Sequence, residues 1–195
     1  MQMQPLPMPV GIDARFIAQQ PTCLVMKERL SFSGDDFTVR TTNGYDIVRC
    51  EGKAMSLSGR KNFYSPDNEL LFALRKHHFK FLSSWYLEDS QKNRFLEIKG
   101  RMTFMKAKLD AEFKNVLGGG QDMILEIRGD WINREADILW NGQPVALIRR
   151  SFLNFREIFQ GHQTYGVEVA PNVDMALIAA LVVSLDESQS DQNSG

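Results

Sequence analysis

Four clusters of basic residues carry the densest chemistry in this chain. No acid occurs between Glu69 and Glu88, while Arg75, Lys76, His77, His78 and Lys80 crowd together. Gly52 to Pro66 holds Lys53, Arg60 and Lys61, again without an acid. Lys99, Arg101, Lys106 and Lys108 form a third run, and Arg149, Arg150 and Arg156 a fourth. A phosphate group is held by several donors converging on one place, Arg through a planar fork and Lys as a point charge. Lys53, Arg60, Lys61, Arg75, Lys76 and Lys80 are therefore the candidate phospholipid-binding residues, provided that neighbouring strands or loops bring two runs together. The competing interpretation makes these cations the solvated outer faces of strands, balanced by acids elsewhere.

Other chemistries find less support. His77 and His78 are adjacent, so in a strand they point to opposite faces, and His162 is the only other histidine. No metal and no cofactor are expected. Gly118-Gly119-Gly120 lacks the lysine of a phosphate-binding loop and reads as a flexible connection. No nucleophile elbow is present, and acids such as Asp130, Glu135 and Asp137 sit near turns, so the chain is expected not to be an enzyme. Cys23 and Cys50 have neither metal spacing nor a disulfide framework and read as buried free thiols in a reducing compartment. A net charge of −1 argues against nucleic acid, so Trp85, Trp131 and Trp140 read as core or barrel-rim residues.

The elements that must position these residues are mostly short strands. Residues 1–10 carry three prolines and read as an extended lead-in, with one weak P-x-x-P-like match. Strands are then predicted at Thr22–Lys27, Phe37–Arg40, Asp46–Cys50, Ser58–Tyr64, Leu70–Arg75, Trp85–Glu88, Phe95–Arg101, Ala107–Lys114, Met123–Arg128, Ala136–Trp140, Pro144–Phe152 and Tyr165–Val169. Asn43-Gly44 and Asn141-Gly142 are strong hairpin signals. Leu70, Phe72 and Leu74 alternate with Ala73 and Arg75, as Leu96 and Ile98 do with Glu97 and Lys99. One apolar and one charged face marks an antiparallel sheet with a wet side. Turns at Asn43, Asn68 and Gln91 recur about every 24 residues, which hints at a repeated hairpin unit.

The run from Val173 to Leu185 has a different character. Asn172 is the expected N-cap, Asp174 lies in the first turn, and the helix is expected to stop at Asp186-Glu187-Ser188. Between Met175 and Leu185 the one polar residue is Ser184, so the helix has no wet face. At about 20 Å it is too short for a hydrocarbon layer of about 30 Å. It reads as buried. A closed sheet of about 12 strands is too wide for its own side chains to fill, and a helix of about 10–12 Å diameter would plug it. Met175, Leu177, Ile178, Leu181, Val182 and Leu185 are the expected plug. The fold class is thus mainly β: an antiparallel barrel of about 12 strands enclosing a hydrophobic C-terminal helix. One domain is expected over residues 11–188, with a disordered polar tail at 189–195.

Several stretches carry a family resemblance. Gly11-Ile12 through Phe16-Ile17-Ala18, Leu24-Val25-Met26-Lys27-Glu28, Leu57-Ser58-Gly59-Arg60-Lys61 and above all Tyr165 through Ile178 resemble the LURP-one-related family. That family belongs to the tubby C-terminal-like superfamily, with the phospholipid scramblases as relatives. The resemblance runs from about residue 10 to residue 188 and implies a 12-stranded barrel around a C-terminal helix. It implies no established enzymatic activity. Tubby proteins bind phosphoinositides, plant members are associated with defence responses, and scramblases are linked to calcium-stimulated lipid movement. Fold alone transfers none of these. The chain has neither a cysteine-rich palmitoylation segment nor an EF-hand-type acidic loop.

Three functional readings follow. The first is a non-enzymatic module that binds a phosphoinositide or an acidic membrane surface. The second is a protein-interaction or regulatory module of the defence or stress type, without a lipid ligand. The third is scramblase-like lipid movement, which requires the helix to leave the barrel. A monomer is expected. The first residues have neither a basic n-region nor an apolar h-region, so an intracellular, cytoplasmic protein without a signal peptide or transmembrane span is expected, with the membrane periphery and the nucleus as alternative locations.

Overall fold

The computed structural model describes residues 3–31, 34–52, 59–77, 84–102, 106–130, 135–149 and 164–193. Its strands are β1 (Thr22–Ser31), β2 (Gly34–Thr41), β3 (Asp46–Gly52), β4 (Lys61–Tyr64), β5 (Leu70–Lys76), β6 (Ser84–Glu88), β7 (Arg94–Met102), β8 (Lys106–Asn115), β9 (Gln121–Asp130), β10 (Glu135–Trp140), β11 (Gln143–Arg149) and β12 (Thr164–Val169), followed by helix α1 (Met175–Asn193). Each strand pairs with its sequence neighbours, and β12 closes the ring on β1, from Thr22 opposite Val169 to Lys27 opposite Thr164. Each stretch expected to be a strand contains one, although the stretch expected from Ser58 is strand only from Lys61, and residues 58 and 150–152 lie outside the described residues.

Alternation supplies the two faces. In β9, Met123, Leu125 and Ile127 are buried, while Glu126 and Arg128 stand outside. Asn141 and Gly142 both take left-handed φ, 49° and 79°, as a two-residue hairpin matched to strand twist requires. In an up-and-down barrel every second turn returns to the same end. That accounts for the turn spacing at Asn43, Asn68 and Gln91: all three close hairpins at the end where α1 begins, here the proximal end. Four register shifts, at Val39/Arg40, Phe63/Tyr64, Leu87/Glu88 and Ile138/Leu139, also lie there. Such shifts sharpen local twist and help a sheet curl shut.

Helix α1 fills the lumen. Every residue from Val173 through Asp186 is buried, including Met175, Leu177, Ile178, Leu181, Val182 and Leu185. Ser184 is satisfied locally, its Oγ donating to the Leu181 carbonyl at 2.7 Å. Two expectations about this helix are corrected. Asp174, not Asn172, is the N-cap: its Oδ1 accepts from the Ala176 and Leu177 N–H groups at 2.9 and 3.1 Å. Asn172 has φ 69° and donates from its side chain to the Leu6 carbonyl. The helix also continues through Asn193 instead of stopping at Asp186-Glu187-Ser188, so most of the expected tail is helical.

The lead-in belongs to the barrel. Met3, Leu6 and Val10 are buried, and Val10 bridges Val173 in parallel. Asn115 donates to the Pro9 carbonyl and accepts from the Gly11 N–H, so the lead-in lies across the proximal end. Asp174 ties it to the helix, because Oδ2 accepts from the Ile12 and Asp13 N–H groups at 3.1 and 3.0 Å. Gly11, at φ 151°, passes so close that a Cβ there would overlap the Asp174 side chain. The glycine run read as flexible begins in a 3-10 turn, Val116–Gly118, packed over Asn115 and Met8.

Candidate anion-binding rim

Two of the four basic runs meet at the opposite, distal end, where α1 leaves the lumen. Strand β4 begins there with Lys61, just after Arg60, and β5 ends there with Arg75 and Lys76. Lys61 lies opposite Leu74, so Arg60 and Arg75 are the next residues on neighbouring strands. The β3–β4 and β5–β6 connections also start and finish at this rim. Lys53, Lys80 and His78 fall in those connections and lie outside the described residues.

Strand alternation then splits the candidates. Lys61 and Lys76 share the lumen face with Leu74 and Trp85, whereas Arg60 and Arg75 are on the outer face. Lys61 is buried, and its Nζ pairs with Glu187 of α1 at 2.8 Å, 5.4 Å from the Phe37 ring centroid. Its ammonium therefore anchors the helix inside the mouth. Arg75 pairs with the buried Glu88 at 3.0 Å, and the Arg60 Nε donates to Asn62 at 2.9 Å. Arg60 and Lys76 are half-buried. His77 packs against Tyr86 with the rings tilted by 49° and their centroids 4.7 Å apart.

Beneath the rim lies a polar layer that sequence reasoning missed. Trp85 Nε1 donates to Ser188 Oγ at 2.8 Å, and Ser188 Oγ donates to the Ser184 carbonyl at 2.7 Å. Glu28 is buried here too, extending the inward row Leu24, Met26, Glu28. That row was the available signal: a charge at the third inward position predicts a polar partner inside the barrel. Asp186-Glu187 is a second signal: Glu187, which in sequence resembles a helix stop, is the helix's half of this layer.

The third and fourth runs are laced into the outer face. Lys99 pairs with Glu97 at 2.7 Å and Glu112 at 3.0 Å, and Arg149 with Asp137 at 2.6 Å. Arg128 adds pairs to Asp110 and Glu126. Lys106 and Lys108 are exposed, while Arg150 and Arg156 lie outside the described residues. Lys99 and Arg149 thus follow the balanced-surface interpretation.

The remaining titratable groups serve structure. Burial pushes the Asp174 carboxyl above its ordinary range, opposed by its four N–H donors. Burial and the Glu168 charge push the half-buried Cys23 thiol up to about 11, and burial raises the Cys50 thiol further still. Among the described residues, no group of three or more His, Cys, Asp or Glu side chains is placed to hold a metal ion. No described helix is long and apolar enough to cross a membrane.

Comparison with known proteins agrees with this architecture. Over 92% of its length the chain superimposes on 98% of an Arabidopsis thaliana protein of known crystal structure, with a TM-score of 0.63 and 20% identity. That likeness shows the fold. Two Arabidopsis thaliana proteins are similar in sequence. LURP-one-related 15 is 23% identical over 91% of this chain and 85% of its own length. LURP-one-related 10 is 22% identical over 90% and 94%. The LURP-one-related family model matches residues 22–186, nearly the whole barrel and most of its plug, so the chain belongs to the LURP-one-related family.

Proposed function

We propose that this chain is a non-enzymatic binding module whose distal rim docks on phosphate-bearing anionic surfaces, with phosphoinositide-containing membrane as the ligand class. One observation carries the reading: Arg60-Lys61 and Arg75-Lys76 end on adjacent strands at one mouth. Convergence of separate basic runs is what phosphate recognition requires. Within this reading Lys61 and Arg75 build the rim through Glu187 and Glu88, while Arg60, Lys76 and the sequence-adjacent Lys53 and Lys80 contact the ligand.

The non-enzymatic part rests on how the buried chemistry is used. Asp174 is engaged by four backbone N–H groups. The raised thiols are poor nucleophiles near neutral pH. Lipid scrambling by an extruded helix is disfavoured, because emptying the lumen uncovers an apolar lining that includes Leu24, Leu74, Leu96 and Ile127, at roughly 1.5–3 kcal/mol for each large side chain left facing water.

Co-sedimentation with phosphoinositide vesicles tests the proposal. Each basic residue near an anionic surface contributes about 1 kcal/mol, so changing Arg60, Lys76 and Lys80 to Ala should weaken partitioning roughly 100-fold. Binding should also fall as salt rises. Undiminished binding by this variant, or none by the native chain at low salt, would remove the proposal and favour the protein-interaction reading.

A further inference from the structure

The proximal end carries a second surface, independent of the rim. A solvent-open groove of about 920 Å³ runs between the end of the lead-in, the start of β5, the β6–β7 turn and the ends of β7 to β9. Phe16, Leu71, Phe95, Val116 and Ile124 supply much of its apolar lining. Val116 is 61% exposed and Ile124 51%, two of the three large hydrophobic side chains so exposed among the described residues. Large apolar side chains left in water together, and ringed by charge, are the signature of an interaction site.

The charge of the lining selects the partner. Asp13, Glu69, Asp89, Glu97, Glu112 and Asp122 face three cations, Arg15, Arg94 and Lys114. Most of these charges pair with one another, and Lys99, just outside the lining, pairs with both Glu97 and Glu112, so six carboxylates stand against four cations, a net excess of two negative charges. Arg15 lies between Asp13 and Glu69 at 2.7 and 2.5 Å, Lys114 pairs with Asp122 at 3.2 Å, and Arg94 sits 4.1 Å over the Tyr86 ring. The excess of carboxylates repels a fatty acid or an acidic headgroup and attracts a cationic partner. An amphipathic helix can lay apolar anchors into such a groove while its polar face meets the rim.

We propose that this groove docks a basic, amphipathic, helix-forming segment of a partner protein, with its apolar face on Val116, Ile124 and Phe95 and its Lys or Arg residues on the carboxylate rim. The chain would then carry partner binding at one end of the barrel, whatever binds at the other.

The test pans a displayed library of randomised peptides against the full chain, then titrates the enriched peptides by fluorescence anisotropy. The expected peptides combine Leu, Phe or Trp with Lys or Arg at helical spacing. Val116→Asp with Ile124→Asp, both at exposed positions, should leave thermal unfolding unchanged and weaken those peptides about tenfold or more. Glu69→Lys with Asp122→Lys, which spares the apolar floor, should cost a similar factor at low salt and less at high salt. The proposal is overturned if no peptide is enriched, if acidic or uncharged peptides dominate, or if both variants bind as tightly as the native chain.

Discussion

The two ends of this barrel hold the same helix by different physics. At the proximal end one buried carboxylate, Asp174, gathers four backbone N–H groups and ties the lead-in to the start of α1. At the distal end the helix is held by side chains: the Lys61–Glu187 pair and the Trp85–Ser188 hydrogen bond. Backbone bonds to a buried group fix geometry. The charged layer buries Lys61 but ends beside the half-buried Arg60 and Lys76, which suits a surface that meets charged ligands. The outer surfaces diverge as well, with a carboxylate-rimmed apolar groove at one end and converging basic runs at the other.

The largest effect should come from removing the shared element. A chain lacking residues 173–195 should be insoluble or molten, because the barrel lining would face an empty lumen. Soluble truncated protein with a sharp calorimetric transition would contradict the plug assignment. Next is Asp174→Ala, which orphans several buried N–H groups at about 1–3 kcal/mol each. The melting temperature should drop roughly 10 °C or more, given about 2–4 °C per kcal/mol at this chain length. A drop of only a degree or two would mean the proximal tie is not needed.

The distal latch should respond differently. Lys61→Met alone leaves Glu187 without its ammonium and should cost about 3 kcal/mol, whereas Lys61→Met with Glu187→Leu should recover most of it. Urea denaturation of both variants and of Glu187→Leu closes the cycle, and simple additivity would show that the pair is not coupled. Smallest is the contrast between thiols. Cys23, near the proximal end, should react slowly with a thiol reagent near neutral pH, and Cys50, in the distal lumen, far more slowly. Equal rates would show that the distal mouth opens readily.

Much of this architecture was legible in the sequence because its signals are local. Alternating strands, Asn-Gly turns and a run without a wet face need no tertiary context. The N-cap was not legible: Asn172 and Asp174 are both good capping residues, and the choice is made by Gly11, far away in the chain, whose lack of a side chain lets the lead-in reach Asp174. The helix end was misread for a similar reason. Asp186-Glu187 looks like a stop until Lys61 is seen to compensate Glu187 inside the lumen. The basic runs were visible one by one, but only the strand order puts Arg60 beside Arg75. The groove left almost no sequence signal, because Phe16, Phe95 and Ile124 come from elements that meet only at the barrel end.

The most direct test places both ends in one experiment: co-sedimentation with phosphoinositide vesicles and with neutral vesicles, for the native chain, the Arg60→Ala/Lys76→Ala/Lys80→Ala variant and Val116→Asp/Ile124→Asp. If the distal rim binds the lipid, the native chain and the groove variant sediment with the acidic vesicles, the rim variant stays in solution, and all three unfold at the same temperature. Equal sedimentation of all three proteins, or loss confined to the groove variant, would contradict binding by the rim.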